Sequence, residues 1–423
     1  MTGTIRADGS SKFSKKKWGY FPSVAFAWNL GNESFMENQK IFNDFKLRAS
    51  YGIVGNQAID PYSTLGLMSQ TNYSFGDLNN FTGYWASNLA TPELTWEKTK
   101  QFDIGVDFSV FDGLFSVSLD YFNKKTVDGL LRKQIPGYLG GGSYWINSGE
   151  ISNKGVDASV TANLVRKENF MWSSSITGTY LKNEVISLGG DQFLYGSTPA
   201  NGIVGPVTII QPGHPIGSFY GYTWLGLDAN GNNMYQDTNG NGVIDSGDRT
   251  ILGKSNPDLT IGWNNSLTWK NWSLNAFFNS SFGAKRLNLV RFGMATMVGD
   301  SRFITLRDAY FQGFDKIGAS AEYASLTSRN NTNRGESTQW LESADFVRLE
   351  NISLSYNLSK EVTRFADILL SISAQNLFTI TKYSGMDPAG STFSSSNVDV
   401  NGGIDIGAYP TPRSFTFGIK LNF

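Results

Sequence analysis

The last eleven residues, 413–423, constrain the fold more than any other stretch of the chain. Phe415, Phe417, Ile419, Leu421 and Phe423 alternate with Ser414, Thr416, Gly418, Lys420 and Asn422. This strict period of two puts every apolar side chain on one face of a strand. The run is long enough to cross a bilayer when tilted, which takes about 9–11 residues. It stops on an aromatic side chain. At a sheet edge in water, a wholly apolar face beside unpaired backbone groups is a template for aggregation. In a membrane barrel, closure removes the edge and lipid covers the apolar face. The last strand of a soluble sandwich is the other arrangement this stretch alone allows.

Composition favours the barrel. A chain of 423 residues suits several soluble domains or one large barrel. Phe, Tyr and Trp make up 14% of it, high for a soluble enzyme, whereas hydrophobic residues are only 40%. No apolar run is long enough for a membrane helix. Alternating strands produce that combination, because their hydropathy averages out. The chain has no Cys, which excludes disulfides, thiolate metal sites and thiol nucleophiles. Its formal net charge of −1 gives no basic surface for nucleic acid. Met1 leads into Thr-Gly-Thr-Ile-Arg rather than a basic and then apolar leader. The expectation is therefore that a signal peptide and the segment following it lie outside this sequence.

Strand-like segments recur between Gly/Asn/Asp punctuation. They are expected at Tyr20–Leu30, Phe45–Val54, Phe102–Val110, Phe115–Tyr121, Gly155–Leu164, Trp172–Leu181, Ser218–Leu227, Leu259–Trp269, Trp272–Phe282, Phe346–Tyr356, Leu369–Leu377 and Phe415–Phe423. Short turns at Asp112-Gly113, Arg166–Asn169 and Lys270-Asn271 alternate with long loops such as Gly55–Glu93 and Leu131–Ser148. Short periplasmic turns and long extracellular loops characterise outer-membrane barrels, as do aromatic side chains near strand ends. The fold class expected is all-β: an antiparallel transmembrane β-barrel, of which residues 1–423 supply roughly a dozen strands. Almost no helical pattern is visible, and no fixed-length repeat argues for a propeller.

Two sets of residues are candidate sites. Asp237, Asn239, Asn241, Asp245 and Asp248 occupy positions 1, 3, 5, 9 and 12 of a loop with Gly242 at 6 and Val243 at 7. That is the ligand spacing of a calcium loop, with the Val243 carbonyl as a further donor. Position 12 is Asp rather than the longer Glu, and no flanking helices are evident. The alternative is an Asn/Asp/Gly turn between strands, since these residues accept left-handed backbone. Trp85, Tyr138, Tyr144 and Trp145 lie in the long loops. Such rings either stack on a ligand such as a sugar or pack the loops together. His214 is the only histidine and sits among Gly and Pro as a turn residue. With no Gly-x-Ser-x-Gly elbow present, nothing supports a hydrolase. Lys12, Lys15, Lys16 and Lys17 form a solvated loop or touch anionic lipopolysaccharide.

Several stretches together resemble one family. Glu150-Ile-Ser-Asn-Lys-Gly-Val156, Gly213-His-Pro-Ile-Gly-Ser-Phe-Tyr-Gly-Tyr222, Asp237-Thr-Asn-Gly-Asn-Gly-Val-Ile-Asp245, Ala344–Tyr356, Gln375-Asn-Leu-Phe378 and Tyr409-Pro-Thr-Pro-Arg-Ser-Phe415 are similar to the SusC/RagA family of TonB-dependent outer-membrane receptors. The resemblance runs from about Trp18 to Phe423. It implies uptake of glycans or peptides driven through TonB, with a SusD-type lipoprotein as extracellular lid and the outer-membrane lipid around the barrel. It also implies that the family's plug, through which TonB acts, and the N-terminal strands of a barrel of about 22 lie outside this chain, as in a partial gene product. A pore or binding barrel without TonB coupling is the alternative function.

Overall fold

The computed structural model describes every residue except 77–79, 140, 197, 200–202, 204, 297–304, 327–332 and 391–397. Twelve strands share one sheet and follow one another in chain order. They are β1 (Thr2–Gly9), β2 (Trp18–Asn29), β3 (Phe42–Asn56), β4 (Glu97–Val110), β5 (Phe115–Val127), β6 (Glu150–Lys167), β7 (Phe170–Ser187), β8 (Leu259–Trp269), β9 (Trp272–Phe282), β10 (Phe346–Leu358), β11 (Asp367–Thr381) and β12 (Ser414–Asn422).

The expected strands at Leu259–Trp269 and Trp272–Phe282 have the observed bounds, and most others are longer than the apolar alternation suggested. β4 begins at Glu97, before its alternation does, in polar sequence. There the Thr99 and Thr126 hydroxyls pair at 2.9 Å and Lys98 meets Asp128 at 3.6 Å. Backbone pairing continues where the apolar alternation ends. Two differences are larger. β1 was not expected. Ser218–Leu227 is not a strand of the sheet: Ser218–Gly221 and Trp224–Leu227 belong to two separate small sheets. Phe219, Tyr222 and Leu227 there are buried in loop structure, while Leu225 is exposed.

The chain contains two compact units, one of residues 1–108, 119–156 and 182–192, the other of residues 109–118, 157–181 and 193–423. In the first, Phe13, Phe21, Ile59, Leu94 and Trp96 form a buried cluster. The Phe21 ring lies so close to Gly55 that a Cβ there would meet its Cζ at 2.0 Å, so only glycine fits. In the second, the register sorts the strands into two chemically distinct faces. Trp269, Trp272, Tyr356, Leu370 and Ile419 are successive cross-strand partners, as are Leu267, Leu274, Leu354, Ile372 and Phe417. The intervening rows are polar: Thr268, Ser273, Ser355, Ser371 and Gly418, then Ser266, Asn275, Ser353, Ser373 and Thr416. Directly paired residues share a face. One face is therefore an apolar band and the other a field of hydroxyls and amides.

The turns follow the same logic. Trp269 pairs with Trp272, leaving Lys270 and Asn271 as a two-residue hairpin. At the β4–β5 connection, Phe111, Asp112 and Gly113 all adopt left-handed backbone, at φ 57°, 55° and 71°. The connection is thus longer than a two-residue Asp-Gly turn.

Candidate polar wall and loop sites

On the polar face of the first unit, charge is concentrated on three adjoining strands. Arg48 of β3 forms a bidentate pair with Asp107 of β4, Nε to Oδ2 at 2.7 Å and Nη2 to Oδ1 at 2.8 Å. Its Nη1 also meets Asp120 of β5 at 2.8 Å. A side chain at Gly105 would strike the Asp120 carboxylate at 2.0 Å, so the glycine makes room for the network. Such forked pairs fix geometry. Asp103 accepts from Gln101 at 2.9 Å and from Ser50 at 3.4 Å on the same face. The sequence shows the polar positions of these strands but not that they converge on one arginine.

The long loops carry the candidate aromatic residues. Gly55–Glu93 contains a hairpin of Met68–Ser74 and Asn80–Ala86, on which Trp85 pairs with Ser69 and is 40% exposed. Leu131–Ser148 holds most of a second hairpin, Leu130–Gln134 with Ser143–Asn147. A bridge between Asn88 and Ser143 joins the two hairpins. Tyr138 projects freely, 87% exposed. Tyr144 is half-buried, and Trp145 packs against the cluster around Phe13 and Trp96. Tyr73, Phe75 and Phe81, which the sequence reading passed over, form an exposed chain of edge-to-face rings at the tip of the first hairpin.

The Asp237–Asp248 loop is organised by its own backbone. Asp237 accepts from the N–H groups of Gly240 at 2.7 Å and Gly242 at 2.8 Å. The buried Asp248 accepts from Thr238 at 2.8 Å and Asp245 at 2.9 Å. Asp245 caps the short 3-10 turn Ser246–Asp248 by accepting from Gly247. Backbone hydrogen bonds, led by that from Asp245, hold the Asp248 carboxyl below its ordinary pKa. Among the described residues, no group of three or more His, Cys, Asp and Glu side chains is placed to share a metal ion. Calcium here is a proposal resting on spacing.

The second unit builds a core from its loops. Val207, Phe219, Phe292, Trp340 and Ile404 are nearly inaccessible and pack together. The helix α1 (Leu289–Thr296) contributes Leu289, Phe292 and Ala295 at a spacing that shares one face. The buried Asn288 starts α1, its Oδ1 accepting from the Arg291 N–H at 2.9 Å. Arg348 of β10 donates to Asp387 at 2.6 Å, and Thr411 donates to the other carboxylate oxygen. These bonds tie the segment after β11 to the sheet. Gln375-Asn-Leu-Phe378 forms a bulge in which Asn376 takes φ 53° and its Nδ2 donates to the Pro412 carbonyl at 3.1 Å. His214 lies in a turn, its N–H donating to Gln211 at 3.2 Å.

Residues 2–377 match the family model for the TonB-dependent receptor-like β-barrel. The chain belongs to this family. TonB-dependent receptor P3 of Formosa agariphila is 34% identical over 448 aligned positions, which cover 100% of this chain and 44% of that protein. TonB-dependent receptor SusC of Bacteroides thetaiotaomicron is 32% identical, with 100% and 42% covered. Among solved structures, the RagAB peptide transporter superposes with a TM-score of 0.85 at 25% identity, covering all of this chain and 45% of that one. This receptor chain thus spans under half the length of the relatives it matches, and those relatives are named as receptors and transporters rather than enzymes. As a TonB-dependent receptor barrel it resides in the outer membrane. Its apolar face is then the lipid-facing side, and its polar face, including the Arg48 network, the inner side.

Proposed function

We propose that this chain forms part of the wall and outer loops of an importer that admits glycans or peptides, is driven through TonB and is lidded by a SusD-type lipoprotein. The observation that carries this reading is the TM-score of 0.85 with the RagAB peptide transporter over the whole chain, loops included. Alignment with SusC over all of this chain, 42% of that protein, supports it. The polar face supplies hydroxyls, amides and fixed charges suited to a hydrated passage. Exposed Trp85 and Tyr138 offer flat apolar surfaces beside polar loop backbone, suited to sugar rings or peptide side chains. The test is accumulation of labelled oligosaccharides and peptides by cells expressing the full-length receptor, with TonB present and deleted. Accumulation that requires TonB supports the reading. Accumulation at the same rate without TonB establishes the alternative, a pore without coupling.

A further inference from the structure

The lipid-facing side of the second unit carries a hollow. It lies at the short-turn end of β7 to β10 and is lined by Phe170, Leu267, Trp269, Trp272, Leu274 and Leu354. The register accounts for its shape. Phe170, Trp269 and Trp272 are direct cross-strand partners, and so are Leu267, Leu274 and Leu354. Rings thus stand in one row, which continues to Tyr356, and the three leucines in the next, which begins at Trp172; over the leucines lies a space of about 350 Å³. It exposes almost no polar surface. Small-molecule sites span roughly 300–1,000 Å³.

A polar rim borders the hollow. Lys270 and Asn271 form the turn between Trp269 and Trp272. The Lys270 N–H donates to the Asn169 carbonyl, and the Asn357 N–H to the Asn271 carbonyl, each at 2.9 Å. The neighbouring strand β6 ends on Lys167, and the turn after it holds Glu168 and Asn169. Lys270 is exposed and takes φ 50°, a conformation that glycine or asparagine adopts more readily. Among the described residues neither Lys167 nor Lys270 has an anionic partner. Short turns of such barrels face the periplasm.

We propose that the hollow seats one acyl chain of a glycerophospholipid from the periplasmic leaflet, with the lipid phosphate at the Lys270 ammonium. Three observations select this occupant. The hollow is continuous with the face the outer membrane already covers. Its walls are apolar enough for hydrocarbon alone. The unpaired lysine stands at the headgroup end, where an anionic phosphate belongs.

The test is native mass spectrometry of the detergent-purified full-length receptor incubated with phosphatidylglycerol. Wild-type protein is expected to retain one lipid. Leu274→Trp fills the hollow and Lys270→Glu reverses the rim charge. Lys270→Glu is expected to lower retention by at least about fivefold, the scale of losing one basic residue near an anionic surface, and Leu274→Trp to lower it by occupying the space. Ser273→Ala, on the polar face, is expected to change nothing. If Leu274→Trp fails to assemble, Lys270→Glu decides, because its exposed turn position leaves packing intact. Equal retention by wild type and Lys270→Glu overturns the proposal. So does a lipid-free dimer of receptor chains that Leu274→Trp dissolves, which would assign the hollow to a second copy.

Discussion

Within the second unit, the membrane sheet and the loop core solve the burial problem in opposite ways. On the sheet, Trp263, Ile372, Phe417 and Ile419 are 41%, 41%, 77% and 74% exposed, because lipid rather than protein covers them. In the loop core, Trp340, Phe292 and Ile404 are at most 1% exposed. The sheet is held by a backbone ladder that does not depend on which apolar residue occupies a position. The core depends on fitted volumes and paired charges. Sheet positions should therefore tolerate apolar exchange and reject charge, whereas core positions should reject both truncation and loss of a partner.

The largest expected effect lies in the core. Arg348 and Asp387 are buried together, their side chains 11% and 5% exposed. Burial pushes the Asp387 carboxyl up, but bonds from Thr411, Ala389 and Arg348 outweigh it and keep the carboxyl below its ordinary range. The stability this contributes is present above the ordinary carboxylate pKa and is lost as pH falls through the depressed value. Asp387→Ala leaves the guanidinium buried without that partner and should cost about 3–5 kcal/mol. Trp340→Ala should cost about as much through the cavity it leaves. Limited proteolysis is expected to cut the loops of both variants while the sheet still migrates as a folded band in unheated gel samples. Loss of the folded band instead would show that core and sheet fail together.

The next effect lies in the sheet. Ile419 pairs with Leu370 on the apolar face, and Lys420 pairs with Leu369 on the other. Ile419→Lys places a charge on the lipid side, at a cost that reaches roughly 2–4 kcal/mol at the midplane and falls toward the interfaces, and should reduce membrane assembly, whereas Lys420→Ala should not. Equal assembly of the two variants would erase the distinction between the faces.

This contrast also explains what was legible in the sequence. A strand residue's face follows from its parity, so Phe415 to Phe423 revealed both strand and membrane side before any partner was known. The core joins Val207, Phe219, Phe292, Trp340 and Ile404 across some two hundred residues with no shared period, so no local pattern announces it. The same holds for Ser218–Leu227, whose apolar run suggests a sheet strand but forms parts of two small sheets, with Phe219 in the loop core. α1 was too short, at 8 residues, for a helical period to stand out. Trp145 was recognisable as a loop aromatic, but its packing against Phe13 and Trp96 depends on residues distant in sequence. Arg48 illustrates the limit for the polar face: its side of the strand is readable, its two carboxylate partners are not.

A smaller effect tests whether the loop core carries unrelieved charge. Glu336 is 3% exposed, and burial raises its carboxyl above the usual range, against the opposing pull of Arg249 and Arg334. A folded state with a raised carboxyl pKa binds more protons than the unfolded chain between the two pKa values, so this group's contribution becomes less favourable as pH rises through that interval. Glu336→Gln should therefore melt above wild type at pH 7, and the difference should shrink toward pH 4. A variant that melts lower at pH 7 would show that Glu336 stabilises the core through its arginines.

The smallest expected effect is at Asp237–Asp248, where the two kinds of stabilisation meet in one exposed loop. Its carboxylates are already engaged by the N–H groups of Gly240, Gly242, Thr238 and Asp245, so the turn has a complete set of internal partners. An ion would have to draw on the remaining lone pairs of Asp237, Asn239, Asn241, Asp245 and Asp248 and on the Val243 carbonyl. Calcium requires six or more oxygens arranged around one point. A turn complete by itself predicts that adding calcium in place of chelator moves the receptor's melting temperature by no more than about 1 °C. Asp237→Ala should lower it equally in both conditions, since the Gly240 and Gly242 N–H groups lose their acceptor either way. A larger rise with calcium that Asp237→Ala abolishes would establish the ion and make this loop a ligand-stabilised part of the receptor's outer surface.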